Sequence, residues 1–255
     1  MISRYEAVLN GVGLSDLNAD ILIHDIKHSP SAFTDNRYSV AKRNGLRTDK
    51  RSFSSVSVTI VFEIHAYNVM TRRAICDAVC AWAKDGGKLE TNDKNGQFLQ
   101  CVCTQFPSVE STRNWTDELS VTFTAFEIPF WQESAQTIVA FSAGTSGTKD
   151  FFVPGSGDDN VIEAVIKTNA SLSSVAITVN GRTLTLSGLS VAQNKEIKIL
   201  YDDKGIQSIT VDSTSLLNKR TGVDDLLAKC GKINTASFTA SASVNVTLRT
   251  RGLWV

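Results

Sequence analysis

The longest clean alternation in the chain lies near its end, where Phe238, Ala240, Ala242, Val244, Val246 and Leu248 alternate with Thr239, Ser241, Ser243, Asn245 and Thr247. Only a β-strand sends every second side chain to one side, so this segment reads as a strand with one face on a core and the other in water. The same period governs 56–64, with Val56, Val58, Ile60, Phe62 and Ile64 on one face. A chain whose strongest signals have period two builds sheets. Shorter runs at 5–9, 21–26, 98–106 and 119–126 extend the pattern through the first half. One helix interrupts it. Asn68 is an N-cap, Ile75, Val79 and Trp82, with Ala78, form a stripe at helical spacing, and Asp85-Gly86-Gly87 stops it.

From about residue 132 the helical period almost vanishes. Strands are expected at 138–142, 149–153, 161–168, 174–179, 183–186, 195–200 and 206–211, separated by turns such as Asn180-Gly181, Ser187-Gly188 and 202–205. A short helix is expected over 221–230, closed by Gly231. At 255 residues the chain is long for one domain and comfortable for two. We therefore expect a mainly β protein: a β-sandwich with one helix over 1–132, and an all-β sandwich over 133–248. The tail 249–255 carries Leu253, Trp254 and Val255. Apolar side chains at a chain end seek burial, and the expectation is that the tail returns to the first domain near Phe130 and Trp131.

The stretch 31–53 stands apart. It carries Arg37, Lys42, Arg43, Arg47, Lys50 and Arg51, with Tyr38, Val40 and Leu46 between them and Asn44-Gly45 at its centre. That is the pattern of a long two-stranded hairpin. Such a ribbon has little of its own to bury and needs a partner; the alternative is a solvated loop with a wet, charged face.

Several function classes find no support. Lys plus Arg and Asp plus Glu are each 26, so there is no basic surplus for a phosphate backbone, and no sequence-specific nucleic-acid binding is expected. No apolar run is long enough to span a membrane, and the start lacks an export signal, so synthesis in a cytoplasm is expected. Gly11-Val-Gly13 is turn chemistry and no dinucleotide fingerprint, since the third glycine is missing and no helix is expected after it. The five cysteines read as reduced thiols. A zinc site joining Cys76 and Cys80 to Cys101 and Cys103 is the minor alternative, so no metal and no cofactor are expected. His24, His28 and His65 lie in no catalytic or metal-ligand spacing. The acidic pairs Asp158-Asp159, Asp202-Asp203 and Asp224-Asp225 read as solvated turns, so no enzyme is expected.

Five features occur in a telling order: an Asn10-Gly11 turn, Trp82 followed by Asp85-Gly86-Gly87-Lys88-Leu89, Pro129-Phe130-Trp131, Asn180-Gly181, and terminal Arg251-Gly252-Leu253-Trp254. In that order and spacing the chain resembles, over its whole length, the distal tail protein (Dit) family of siphophage-type bacteriophages. The resemblance implies a ring-forming first domain whose hairpin, 31–53, acts as a belt to the next subunit, and a second domain like a galectin or carbohydrate-binding module. It makes Arg37, Tyr38, Val40, Arg43, Leu46, Arg47 and Arg51 candidate interface residues, and Phe130, Trp131 and Trp254 candidates for the domain junction. It implies a homohexameric ring at the virion tail tip, joining the tail tube protein to the tail-tip hub or tail-associated lysin, with DNA passing through. Receptor-binding or baseplate proteins are further implied partners. The alternative is a glycan-binding module for host recognition.

Overall fold

The computed structural model describes residues 5–39, 46–108, 118–126, 128–202, 207–223 and 225–255, with only the backbone described over 33–52. The chain divides into two compact units, one up to Gln132 with Val255 added, the other Glu133–Trp254. Both are mainly β.

In the first unit, β1 (Ala7–Leu9) and β2 (Val12–Gly13) are joined by Asn10 and Gly11 with φ of 52° and 83°, the positive angles that Asn-Gly supplies to a tight turn. A one-turn helix follows at once, α1 (Leu14–Leu17), where the sequence predicted none. Local acceptors make it possible. Asp16 accepts from the Gly13 N–H at 3.2 Å, Glu6 accepts from the Ser15 N–H at 3.3 Å, and Leu14 is buried. Then come β3 (Ile21–Ser29), β4 (Phe33–Ser39), β5 (Leu46–Phe53), β6 (Ser57–Ile64), α2 (Val69–Ala83), β7 (Gly87–Thr91), β8 (Gln97–Gln105), β9 (Leu119–Ala125) and β10 (Trp131–Glu133). Seven strands form one antiparallel path, β2-β1-β7-β8-β9-β6-β3. Asn68 caps α2 by accepting from the Thr71 N–H at 2.8 Å. The helix buries Ile75, Cys76 and Val79, while Ala78, assigned to the apolar stripe, faces solvent. Trp82 meets the edge of Phe123 at 5.7 Å and donates to the Val12 carbonyl at 3.0 Å. Among the described residues no helix is long and apolar enough to cross a membrane.

The strand β7 is absent from the sequence reading because Gly86-Gly87 looks like a stop. Both glycines have positive φ, and a Cβ on Gly86 would lie 2.3 Å from the Cys101 carbonyl. The pair turns the chain and starts the next strand against β8. The Asn10 side chain locks it, accepting from the Lys88 N–H and donating to the Gly86 carbonyl, both at 2.9 Å.

The second unit contains β11 (Thr137–Val153), β12 (Asn160–Val161), β13 (Glu163–Thr168), β14 (Leu172–Val179), β15 (Arg182–Val191), β16 (Glu196–Tyr201), β17 (Gln207–Val211), β18 (Thr214–Ser215), β19 (Arg220–Gly222), β20 (Leu227–Ala228), β21 (Lys232–Thr250) and β22 (Leu253–Trp254). The 19-residue β21 organises it. Its first half pairs with β14 and its second half with β13, while β11 runs along its other edge. Phe238, Val244, Val246 and Leu248 are buried as the alternation predicts, and Ala240 and Ala242 are half-buried between the two halves.

Four expectations change here. The strands expected at 138–142 and 149–153 are one strand, β11, because the intervening glycines serve register shifts and packing. A Cβ on Gly147 would lie 2.8 Å from the Phe238 ring, which meets the Phe141 ring edge-on at 5.2 Å. Ser187-Gly188 is an irregularity within β15 with Gly188 at φ 64°, and not a turn. No helix forms over the described part of 221–230. Gly222, at φ 94°, packs a Cβ-free face on the Thr183 carbonyl, so β19 adds to β15. The final strand runs to Thr250, so Arg249 and Thr250 belong to β21 and not to a tail.

Candidate functional site

The ribbon at 31–53 is built from β4 and β5, which pair antiparallel as a two-stranded sheet of their own. Phe33 lies opposite Phe53, Thr34 opposite Ser52 and Asp35 opposite Arg51. After a register shift, Arg37 pairs with Thr48, Tyr38 with Arg47 and Ser39 with Leu46. The register thus brings Tyr38 beside Arg47, and sets Arg37, Leu46 and Arg51 along the same ladder. Val40 and Arg43 lie outside the described residues.

What holds the ribbon is at its base. The Ser54 N–H donates to the Ala32 carbonyl, and the Ala32 N–H donates to the Ser54 hydroxyl, both at 2.8 Å. The Ser31 hydroxyl donates to the Ser54 carbonyl, and Ser31 is only 9% exposed. The Phe53 ring meets Phe130 edge-on with centroids 4.8 Å apart, and Phe130 is itself 3% exposed. A polar clasp and an aromatic pair therefore fasten the ribbon where β4 begins and β5 ends. Sequence reading missed Ser31, Phe53 and Ser54 in this role. The signal was present in the small polar residues bracketing the charged stretch symmetrically, just inside Ser29-Pro30 and Val56.

Trp131, 1% exposed, anchors the other side of Pro129-Phe130-Trp131 in the first unit. His28 meets its ring edge-on at 5.4 Å, and the Lys94 ammonium lies 5.9 Å from its centre. The His28 Nε2 is 2.5 Å from the Asp93 carboxylate. Burial alone would raise the Asp93 pKa; contacts with Thr91 and with the His28 imidazole outweigh it, and the pKa is held below its ordinary value of 3.8. A folded-state value below the unfolded one stabilises the protein above the unfolded value, and that stabilisation is lost as pH falls through the folded one. Urea unfolding between pH 7 and pH 2 is therefore expected to show acid destabilisation setting in below about pH 4, near the ordinary carboxylate value. Asp93→Asn should flatten that limb.

The cysteines are all free thiols. Cys76 and Cys80 both reach the Pro107 carbonyl, at 3.5 and 3.9 Å, and burial, reinforced by nearby Cys103, pushes the Cys101 thiol up to about 12. Among the described residues no three His, Cys, Asp or Glu side chains are arranged to hold a metal. His24 and His65 each lie 3.1 Å from a different oxygen of Glu63.

In the second unit, Trp254 is half-buried with its indole nitrogen shielded, and its neighbour Leu253 is strapped down. The Leu253 carbonyl accepts from the Ser156 and Gly157 N–H groups at 2.9 and 2.8 Å. Phe141 and Phe238 are core residues, whereas Phe152 is 54% exposed and directly opposite exposed Ile233. Asp159 donates its N–H to Asp158 at 2.8 Å, and Asp225 accepts from the Tyr201 hydroxyl at 3.0 Å; both are structural roles. Asp203 and Asp224 lie outside the described residues.

No protein-family model matches the sequence, and no curated protein sequence matches it. Among solved structures the chain is similar to the SPP1 Dit (gp 19.1) protein, described as a paradigm of hub adsorption apparatus in Gram-positive infecting phages. The two are 10% identical, with a TM-score of 0.73 over 97% of this chain and 98% of that one. It is also similar to a chain of the phage P2 baseplate in its activated conformation with calcium, 10% identical, with a TM-score of 0.43 over 94% of this chain and 98% of the other. The first likeness establishes the fold: nearly the whole chain follows the path of a Dit protein.

Proposed function

We propose that this protein is a structural adaptor of a bacteriophage tail tip, and that copies of it join through the β4–β5 ribbon into a sixfold ring. The ring lies between the tail tube and the tail-tip hub, and DNA passes through its hole. The observation that carries this reading is the fold likeness to SPP1 Dit, which spans both units and leaves almost no residue of either chain unmatched. The ribbon supports it independently. Among the described residues β4 and β5 pair with each other and with no further strand, and a two-stranded ribbon of that kind, with arginines along its ladder, is suited to docking on another surface. A heterologous contact of that kind, repeated and closed, makes a ring. The work of such a subunit is geometric, since it matches a tube on one face and a hub on the other. A formal charge of zero suits a conduit through which a polyanion slides.

Imaging of the purified protein and of particles carrying it is the direct test. Sixfold rings, with antibody label at the tail tip, are the expected result. Threefold or non-cyclic assemblies, or label along the tube or on the head, would overturn the reading.

A further inference from the structure

The outer face of the second unit carries a polar groove that the adaptor role does not use. Three adjacent strands, β13, β16 and β17, turn Ala164, Ile166, Ile197, Ile199 and Ile209 to the core. Their opposite faces line a cavity of about 480 Å³. Lys167 lies directly across from Glu196, and Lys198 directly across from Thr210. Two turns in left-handed backbone also line it, at Asn194 (φ 63°) and at Asp212 and Ser213 (φ 44° and 68°). The turns aim Lys195 inward, with its ammonium 2.6 Å from the Asp212 carboxylate. Lys198 is 3.8 Å from Glu196, and Lys167 forms no ion pair among the described residues.

The groove therefore holds three ammoniums and two carboxylates, a local surplus of one positive charge, with amide and hydroxyl groups at the rim. Among the described residues it has no aromatic wall, so they offer neither the stacking face that neutral sugars use nor a platform for nucleic-acid bases. Lys195 and Lys198 already face carboxylates, and an anion would give Lys167 a partner and share Lys198. A bare anion leaves Glu196 and Asp212 facing it, which is repulsive unless the same ligand brings hydroxyl donors to them. We propose that this groove binds a phosphodiester carried on a hydroxyl-rich chain, a polyol phosphate or sugar phosphate, with Lys167 and Lys198 on the phosphate and Glu196 and Asp212 accepting its hydroxyls. The inference goes beyond the adaptor role and does not depend on assembly.

The test is a two-dimensional NMR titration of the full ¹⁵N-labelled chain, with its mass recorded by light scattering in the same sample so that ring formation is scored separately. Four probes separate the sources of binding: glycerophosphoglycerol, which has both phosphodiester and hydroxyls; dimethyl phosphate, which has only the phosphodiester; glycerol; and an oligothymidylate. Saturable shifts at Lys167, Lys198, Thr210 and Ser213 with glycerophosphoglycerol, weaker with the other three, are expected. Lys167→Glu and Lys198→Glu should each weaken binding about tenfold, as loss and reversal of one charge-assisted contact does, while leaving resonances of the opposite face in place. Glu196→Gln should reduce the preference for glycerophosphoglycerol over dimethyl phosphate. The proposal is overturned by absence of saturable shifts, by equal binding of dimethyl phosphate, by tighter binding of the oligothymidylate, or by charge reversals that leave affinity unchanged.

Discussion

Removal of residues 36–50 is expected to leave both units folded and to abolish ring formation. The ladder between β4 and β5 belongs to a two-stranded sheet that lends no strand to the seven-stranded path, so no hydrogen bond of that path is lost with it. The clasp of Ser31, Ala32 and Ser54 and the ring pair Phe53 and Phe130 lie outside the deleted segment, and a short linker across the gap keeps them in place. If the ribbon is the contact that closes the ring, assembly should weaken by at least about a hundredfold, since such a deletion removes several contacts worth roughly a kilocalorie each. Sedimentation across a concentration series measures this, and circular dichroism reports the fold. Assembly at unchanged concentration would show that another surface makes the ring. Ser54→Ala with Phe53→Ala is the milder companion: the ribbon remains but its base is no longer fastened, so assembly should weaken without a change in secondary structure.

Much of this architecture was legible because sheets announce themselves by period. The alternations at 56–64 and 238–248 are strands with the expected faces buried except at half-buried Ala240 and Ala242, and Asn68 caps the helix as read. What misled was glycine. Gly86-Gly87 ends the helix as read but also opens β7, where a Cβ has no room, and Ser187-Gly188 looks like a turn yet lies inside β15, where the backbone turns left-handed within a continuing sheet. A linear string carries no record of the approach of Cys101 or Phe238 that makes glycine necessary. The candidate interface was legible as a ribbon, from Asn44-Gly45 and the charge run. Its base was not, because Ser31, Ser54 and Phe130 are separated in sequence and meet only after β3 and β6 have paired. The groove on the second unit was invisible for the same reason: Lys167, Lys198 and Asp212 acquire a common meaning only through register.

Asn234 illustrates how far register governs this chain, and its replacement by Leu is expected to be the most damaging single substitution in the second unit. It is the fully buried polar residue at the start of β21, 0% exposed. Its amide is completely satisfied. The oxygen accepts from the Asn180 side chain and the Lys229 N–H, both at 2.7 Å, and the nitrogen donates to the Lys229 and Lys232 carbonyls, both at 3.0 Å. Asn180 in turn sits at the positive-φ hairpin turn with Gly181 and exchanges backbone and side-chain bonds with Thr235. One side chain thus ties the turn before β21, the β14–β15 hairpin and β21 itself into a single register. Leucine keeps the volume and deprives three backbone groups of their side-chain partner, while Asn180 retains its bond to the Leu227 carbonyl at 3.3 Å. At about 1 to 3 kcal/mol for each group left buried without a partner, and with relaxation and water recovering part of it, the loss should be about 3 to 5 kcal/mol. That is a large share of the roughly 5 to 15 kcal/mol that holds a domain together. Urea unfolding followed by circular dichroism measures it. Asn234→Asp should also destabilise strongly, because a carboxylate cannot donate to two carbonyls, and a loss under about 1 kcal/mol in both variants would show that the network contributes little beyond packing.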